Sequence, residues 1–206
     1  LLDAIQEQLA PIYDVIDSTW DGNIYMTESG RKYERVSESQ TSLPQYPYDK
    51  SKLISVLKIS DYITAAAASC FIFCTNLTAI DMASSNIKSI GQKAFSRTGL
   101  LSCVLPPGVQ SIGKEIFSYC PSLKYVRASD SMTPSGLFGG SNAYRRCTSL
   151  ELIDGRHNPS ILAEQCKEAV LRNPGAFLEV NKTFIIGCYD SDLSCKVTSS
   201  GIEFLE

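Results

Sequence analysis

The chain is short of the residues that most enzymes use. It holds one histidine, His157, and one tryptophan, Trp20. It has no glycine-rich phosphate loop and no Gly-x-Ser-x-Gly turn, so the common nucleotide-binding and acyl-transfer signatures are missing. His157 and Cys166 could pair as base and nucleophile, but no nucleophile motif surrounds either. His157 is therefore expected in a surface loop. Cys70 and Cys74 are close in sequence, yet zinc wants four nitrogen or sulfur ligands in paired spacing. No catalytic residue, metal site or cofactor is assigned. No run approaches ~18 consecutive apolar residues, so no membrane-spanning helix is expected. A net charge of −3 leaves no basic face for phosphates, which argues against a nucleic-acid partner. The chain starts at Leu1 without a basic, apolar leader, and reads as a mature or trimmed chain with any signal peptide already gone.

What is present is a repeat. Ile54, Leu77, Leu100, Leu123 and Leu150 stand at successive steps of 23, 23, 23 and 27 residues. Three positions on are Leu57, Ile80, Cys103, Val126 and Ile153. Five positions on are Ile59, Met82, Leu105, Ala128 and Gly155. Later in each unit comes an aromatic: Phe71, Phe95, Phe117 and Tyr144. A small polar or thiol group follows it: Cys74, Thr98, Cys120 and Cys147. A unit this short cannot bury its own apolar face, but stacked units can, because each residue then lies on its counterpart one repeat further on. The start of each unit reads as a short strand, paired in parallel with the next at roughly 4.8 Å. Pro106-Pro107-Gly108 ends one strand. Gly91 and Gly113 are expected where the chain turns tightly.

Ser-Ile-Gly-Gln-Lys-Ala-Phe at 89–95, Ser-Ile-Gly-Lys-Glu-Ile-Phe at 111–117, Leu-Pro-Pro-Gly-Val at 105–109 and Cys-Pro-Ser-Leu at 120–123 resemble the BspA-like class of leucine-rich repeat. The resemblance covers Ile54 to Gly155. It implies an α/β-type leucine-rich repeat solenoid of short parallel strands stacked in register, with four full repeats and a partial fifth. It also implies kinship with adhesins that engage host or matrix proteins. The first unit departs from the pattern, with Ala65 to Ala68 where Ser-Ile-Gly is expected. The fourth has four extra residues near Ser135–Ser141.

Cys74, Cys120 and Cys147 occupy one repeat position and are expected as buried thiols rather than bridges. Cys188 and Cys195, separated by a loop with two aspartates, suit a disulfide in an oxidising compartment.

The flanks read differently. Residues 1–53 are expected as an N-terminal cap. Leu2, Ile5, Leu9, Ile12 and Ile16 lie at helical spacing, broken by Pro11. That helix either packs on the open end of the solenoid or forms a short oligomerising coiled coil. A hairpin is expected around Glu28-Ser29-Gly30, and a loop over 37–52. Tyr25, Tyr33, Tyr46 and Tyr48 either pack on a sheet edge or form a binding patch. Residues 156–206 are expected as a C-terminal α+β cap or a small module. Asn158-Pro159 reads as the start of its helix and Asn173-Pro174-Gly175 as the stop. Strands are expected at 177–180, 183–187, 195–198 and 201–205. Asn76-Leu77-Thr78 and Asn181-Lys182-Thr183 are glycosylation sequons, relevant only in a eukaryotic secretory pathway.

The strand residues between the inward ones should line one continuous outer face. Tyr125, Arg127, Asp81, Asp154 and Val104 are the candidate binding residues, since tyrosine and arginine dominate interface energies. The reading is a non-enzymatic, secreted or cell-surface module that binds a protein partner and is a monomer or weak oligomer. The alternative is an assembly component joined through residues 1–20. An enzyme with its site in the 156–206 tail is a third possibility.

Overall fold

The structure, a computed structural model, describes residues 42–43, 56–59, 61, 63–83, 85–177 and 182–205, and the strand backbone at 19–20, 24–26 and 32–34. The helix, coiled-coil and Tyr46/Tyr48 expectations fall outside these residues. In chain order the strands open with β1 (Thr19–Trp20), β2 (Ile24–Met26) and β3 (Lys32–Glu34), an antiparallel sheet. The β2–β3 pairing is the expected hairpin.

Two parallel stacks are then threaded alternately. β4 (Ser42–Leu43), β6 (Ala65–Ala66) and β8 (Ser89–Ile90) form one, extended by a bridge from Ile90 to Ile112. β5 (Val56–Lys58) and β7 (Ala79–Asp81) begin the other. β9 (Ser102–Val104), β10 (Tyr125–Arg127) and β11 (Leu152–Asp154) follow on the same side as part of a separate six-stranded sheet, paired in parallel with one another. The expected files are formed: Leu57 pairs with Ile80, and Cys103, Val126 and Ile153 are aligned and buried. Leu77, Leu100, Leu123 and Leu150 are buried, and the residues that follow them are tied rung to rung by N–H···O bonds, Leu101 to Thr78, Lys124 to Leu101 and Glu151 to Lys124. Ser42 and Leu43 correct the loop expected at 37–52. Leu43 is buried and paired with Ala66, so the stack begins before Ile54.

The third side of each rung is a turn built by alternation. The N–H groups of Lys93, Phe95 and Arg97 donate to the carbonyls of Lys114, Ile116 and Ser118 on the next rung. Those of Glu115, Phe117 and Tyr119 donate to Ser141, Ala143 and Arg145. Two residues of each turn adopt left-handed backbone to do this: Ser69 and Phe73, Lys93 and Arg97, Glu115 and Tyr119, Asn142 and Arg146. For non-glycine residues this conformation costs about 1–2 kcal/mol each, and the inter-rung hydrogen bonds offset it. Between them the aromatics point inward and stack: Phe71 on Phe95, Phe95 on Phe117 and Phe117 on Tyr144, each with centroids 5.9 Å apart. The glycines have a different role from the one expected. Gly91 and Gly113 do not supply positive φ. A Cβ on Gly91 would fall 2.4 Å from Ala68 N, and one on Gly113 2.8 Å from Gln92 N. The backbones of neighbouring rungs touch there, and only hydrogen fits between them.

The thiols at the repeat position are buried and free, as expected. Cys120 Sγ donates to Phe95 O at 3.0 Å and Cys147 Sγ to Phe117 O at 3.0 Å. Each thiol therefore satisfies the carbonyl of the aromatic one rung back. The insertion in the fourth unit forms α1 (Pro134–Phe138), capped by Thr133 Oγ1, which accepts from Gly136 N at 3.1 Å.

After β11 comes α2 (Ala163–Arg172), then a single 3₁₀ turn at Pro174–Phe177, where the helix stop is expected; the strand expected at 177–180 lies, apart from Phe177, outside the described residues. Asn158 does not start the helix. It is buried, and its side-chain amide donates to Ser129 O and Met132 O at 2.8 and 2.9 Å. The cap comes instead from Asp190 Oδ1, which accepts from Ala163 N at 2.8 Å. β12 (Thr183–Gly187) adds a parallel strand to β11, with Ile186 opposite Ile153. β13 (Leu193–Thr198) and β14 (Gly201–Leu205) close the sheet with antiparallel pairings. Phe177 and Phe184 prolong the aromatic stack beyond Tyr144, at 5.1 and 4.8 Å.

Candidate functional site

The five candidate binding residues lie on the outer side of the strand stack, but they are not equally accessible. Tyr125 and Asp154 are 3% and 6% exposed. Both were expected on the solvated face, and both are supports beneath it. The reason is packing between rungs: Tyr125 and Leu152 form a second small apolar cluster with Leu101, Val104 and Ile185. Short strands set side by side leave large side chains no room to stand apart. Ala79 and Ser102, in the same file, are buried as well. Arg127, Val104 and Asp81 are half-buried and reach solvent.

Two candidates, Tyr125 and Asp154, meet in one polar network. Tyr125 OH donates to Asp154 Oδ2 at 3.0 Å. Asp154 Oδ1 accepts from Arg156 N at 3.2 Å. Arg156 is clamped onto Asp192 by Nε and Nη2, at 2.8 and 2.6 Å. The bidentate bond to Asp192 raises the Arg156 pKa above its ordinary value. One strand away, Arg127 Nε donates to His157 Nδ1 at 3.4 Å. His157 Nε2 stands 3.1 Å from Asp130 Oδ1, at ion-pair distance but outside hydrogen-bond geometry. Val104 is aligned with Arg127 and Asp154 in the strand register. Asp81 lies apart and closes a local turn, accepting from Ala83 N at 3.0 Å.

Sequence reasoning missed His157 and the Arg156–Asp192 clamp. His157 follows β11 by three residues, where it can reach Arg127 on the neighbouring strand; that proximity exists only once the register is known. His157 is engaged by Arg127 and Asp130, while the neighbouring Cys188 thiol and burial push the Cys166 thiol pKa up. Cys188 and Cys195, expected as a bridge, are free buried thiols. Burial pushes Cys70, Cys74 and Cys195 up to about 12. Thiolate nucleophiles are scarce under such conditions at neutral pH. Among the described residues, no group of three or more His, Cys, Asp or Glu is placed to hold a metal ion. No helix among them is long and apolar enough to cross a membrane.

A family profile described as "BspA type Leucine rich repeat region" matches residues 31–151 in six copies. No curated protein sequence matches the chain. Among solved structures, it is similar to a leucine rich cell surface protein from Faecalibacterium prausnitzii, at 18% identity and a TM-score of 0.52, covering 70% of this chain and 39% of that one. It is also similar to a T. pallidum leucine rich repeat protein, at 20% identity and a TM-score of 0.46, covering 67% and 71%. A third similar structure is the pneumococcal vaccine antigen PcpA, at 19% identity and a TM-score of 0.41, covering 66% and 46%. The chain therefore spans well under half the length of the first of these, and the likeness is one of fold.

Proposed function

Because the chain belongs to the BspA-type leucine-rich repeat family, we propose that it is a non-enzymatic recognition module, extracellular or at a cell surface, that binds a protein partner through the strand face. One observation carries this reading. Arg127 is held half-exposed by His157, beside the apolar group of Val104, Leu101 and Ile185. A partly fixed guanidinium next to apolar area gives a partner both orientation and buried surface. Tyr125 and Asp154 stiffen that face from below. Asp81 is a more distant charged contact two strands away. The raised thiol pKa values and the engagement of His157 favour recognition over catalysis.

The test is capture of extracellular-matrix and serum proteins on the immobilised chain, followed by affinity measurement for the retained protein. Arg127→Ala should weaken binding tenfold or more, and Val104→Asp by a similar factor. Retention of the same partner with unchanged affinity by both variants would sink the strand-face assignment.

A further inference from the structure

The Arg127 guanidinium is fixed on the strand face by a ring nitrogen. Its Nε donates to His157 Nδ1 at 3.4 Å. A ring nitrogen accepts a hydrogen bond only while it carries no proton, so this contact requires the neutral imidazole with its hydrogen on Nε2. That hydrogen is badly placed. His157 Nε2 is buried and makes no hydrogen bond. The carboxylate of Asp130 lies close, with Oδ1 at 3.1 Å, but out of line. Asp130 is 64% exposed, so its side chain has room to swing into line once there is a reason to do so. The neutral state thus satisfies Nδ1 at the expense of Nε2.

A second proton on the ring reverses both contacts. Nδ1 then carries an N–H that faces the Arg127 Nε–H, donor against donor and cation against cation, and the bond that fixes the guanidinium is lost. At the other nitrogen, a misaligned neutral contact becomes an ion pair with the Asp130 carboxylate. Arg127 opposes the second proton and Asp130 favours it. The remaining charged groups at this corner are engaged with one another. Asp154 is held by Tyr125 and by the Arg156 N–H, and Arg156 is clamped on Asp192. Asp190 caps α2 at Ala163 N. Histidine is the side chain that ordinarily changes charge near neutral pH, and His157 is the one histidine of the chain.

We propose that His157 is an acid-operated latch on the strand face: the neutral ring holds the Arg127 guanidinium in place, and the protonated ring pairs with Asp130 and releases it. The three side chains come from β10, the turn that follows it and the turn after β11, and the parallel register of β10 with β11 brings them together. The backbone need not move, since only side chains exchange partners. The latch stands on this geometry alone, whereas its effect on binding rests on the strand-face reading. A guanidinium already held in position loses little freedom when it engages a partner, and a released one loses more. A partner bound near neutral pH is therefore expected to be let go in acid.

The experiment needs no partner. Nitrogen and carbon NMR of the full chain follows the Arg127 Nε and Cζ, identified by their loss in Arg127→Lys, together with the His157 ring, from about pH 8 to about pH 5. The Arg127 signals should move with the same midpoint as the ring. In His157→Gln, whose side-chain oxygen still accepts from Arg127 but takes up no proton, they should stay still. In Asp130→Asn both transitions should shift together to lower pH, because the carboxylate that favours the charged ring is gone. The latch is overturned if the ring titrates without moving Arg127, or if it stays neutral down to about pH 5. It is equally overturned if Arg127 moves as before in His157→Gln, or if Asp130→Asn leaves both transitions in place. Should His157→Gln not fold, the parent titration and Asp130→Asn still decide. For a partner retained on the strand face, affinity should fall about tenfold between about pH 7.5 and about pH 5.5 in the parent and hold level in His157→Gln. An affinity that ignores pH, yet still falls in Arg127→Ala, would keep the strand-face reading and remove the latch's control over it.

Discussion

The repeat rungs and the C-terminal segment bury the same kinds of residue by different means. Between Leu77 and Gly155 most inward positions are filled by one class of side chain at nearly fixed intervals, and each file stacks on itself. Beyond Gly155 the files continue, but their occupants come from unrelated places. Ile186 prolongs the aliphatic file from β12. Phe177 joins the aromatic column from a 3₁₀ turn and Phe184 from a strand. The helix before them borrows its cap from Asp190, 27 residues from Ala163. A solenoid requires the right side chain at each place on the stack, whatever the route of the chain that brings it there.

The sharpest break in this comparison is Phe117→Ala. Phe117 touches aromatic rings on both sides, so its removal opens a cavity between two rungs. A loss of about 3–5 kcal/mol is expected in urea denaturation. Phe184→Ala, at the end of the column, should cost clearly less, because an interior unit loses two interfaces and a terminal one loses one. Equal losses would mean that the column does not couple the rungs.

The glycines give the next contrast. Gly113→Ala drives a methyl group into the backbone of the previous rung and should cost about 1–3 kcal/mol. Gly187→Ala meets the Arg156 side chain, at 2.9 Å, rather than backbone, and makes room by loosening the exposed clamp on Asp192. Its expected effect on the urea midpoint is small.

A third comparison uses pH. Below the ordinary thiol range, about 8.5, folded and unfolded chains hold the same protons on Cys74 and Cys195. Above it the unfolded chain releases protons that the folded one keeps up to about 12. Stability should therefore fall as pH rises through that window. Cys74→Ala in the repeats and Cys195→Ala beyond them should each flatten the fall in urea midpoint between about pH 8 and about pH 10. A flattening by only one of them would show that burial treats the two regions unequally.

The smallest effect is expected from Tyr125→Phe, which removes one hydrogen bond to Asp154. It should cost about 0.5–1.5 kcal/mol by thermal or urea denaturation.

How far these regions were legible follows from the same contrast. The Leu77, Leu100 and Leu123 file and the Phe71 to Tyr144 column recur at nearly fixed intervals, so they could be read before any coordinates. Leu43 was not, because its rung has lost the flanking Ser-Ile-Gly pattern and sits among prolines and tyrosines. The candidate site was legible only in part. The register put Tyr125, Arg127, Val104 and Asp154 on adjoining strands, but periodicity says which way a side chain points and not what covers it. The burial of Tyr125 depends on Leu101, Val104, Leu152 and Ile185 together, and Ile185 lies outside the repeat. The left-handed residues were invisible for another reason: Phe73, Arg97, Tyr119 and Arg146 share a backbone conformation and no side-chain type.

The hydrogen bonds on the strand side and the turn side of each rung run toward the neighbouring rung, along the direction in which the coil grows. A tensile load along that direction acts on each set of bonds between rungs in series. Such a molecule is expected to yield by peeling one coil at a time from an end, giving a succession of modest force steps.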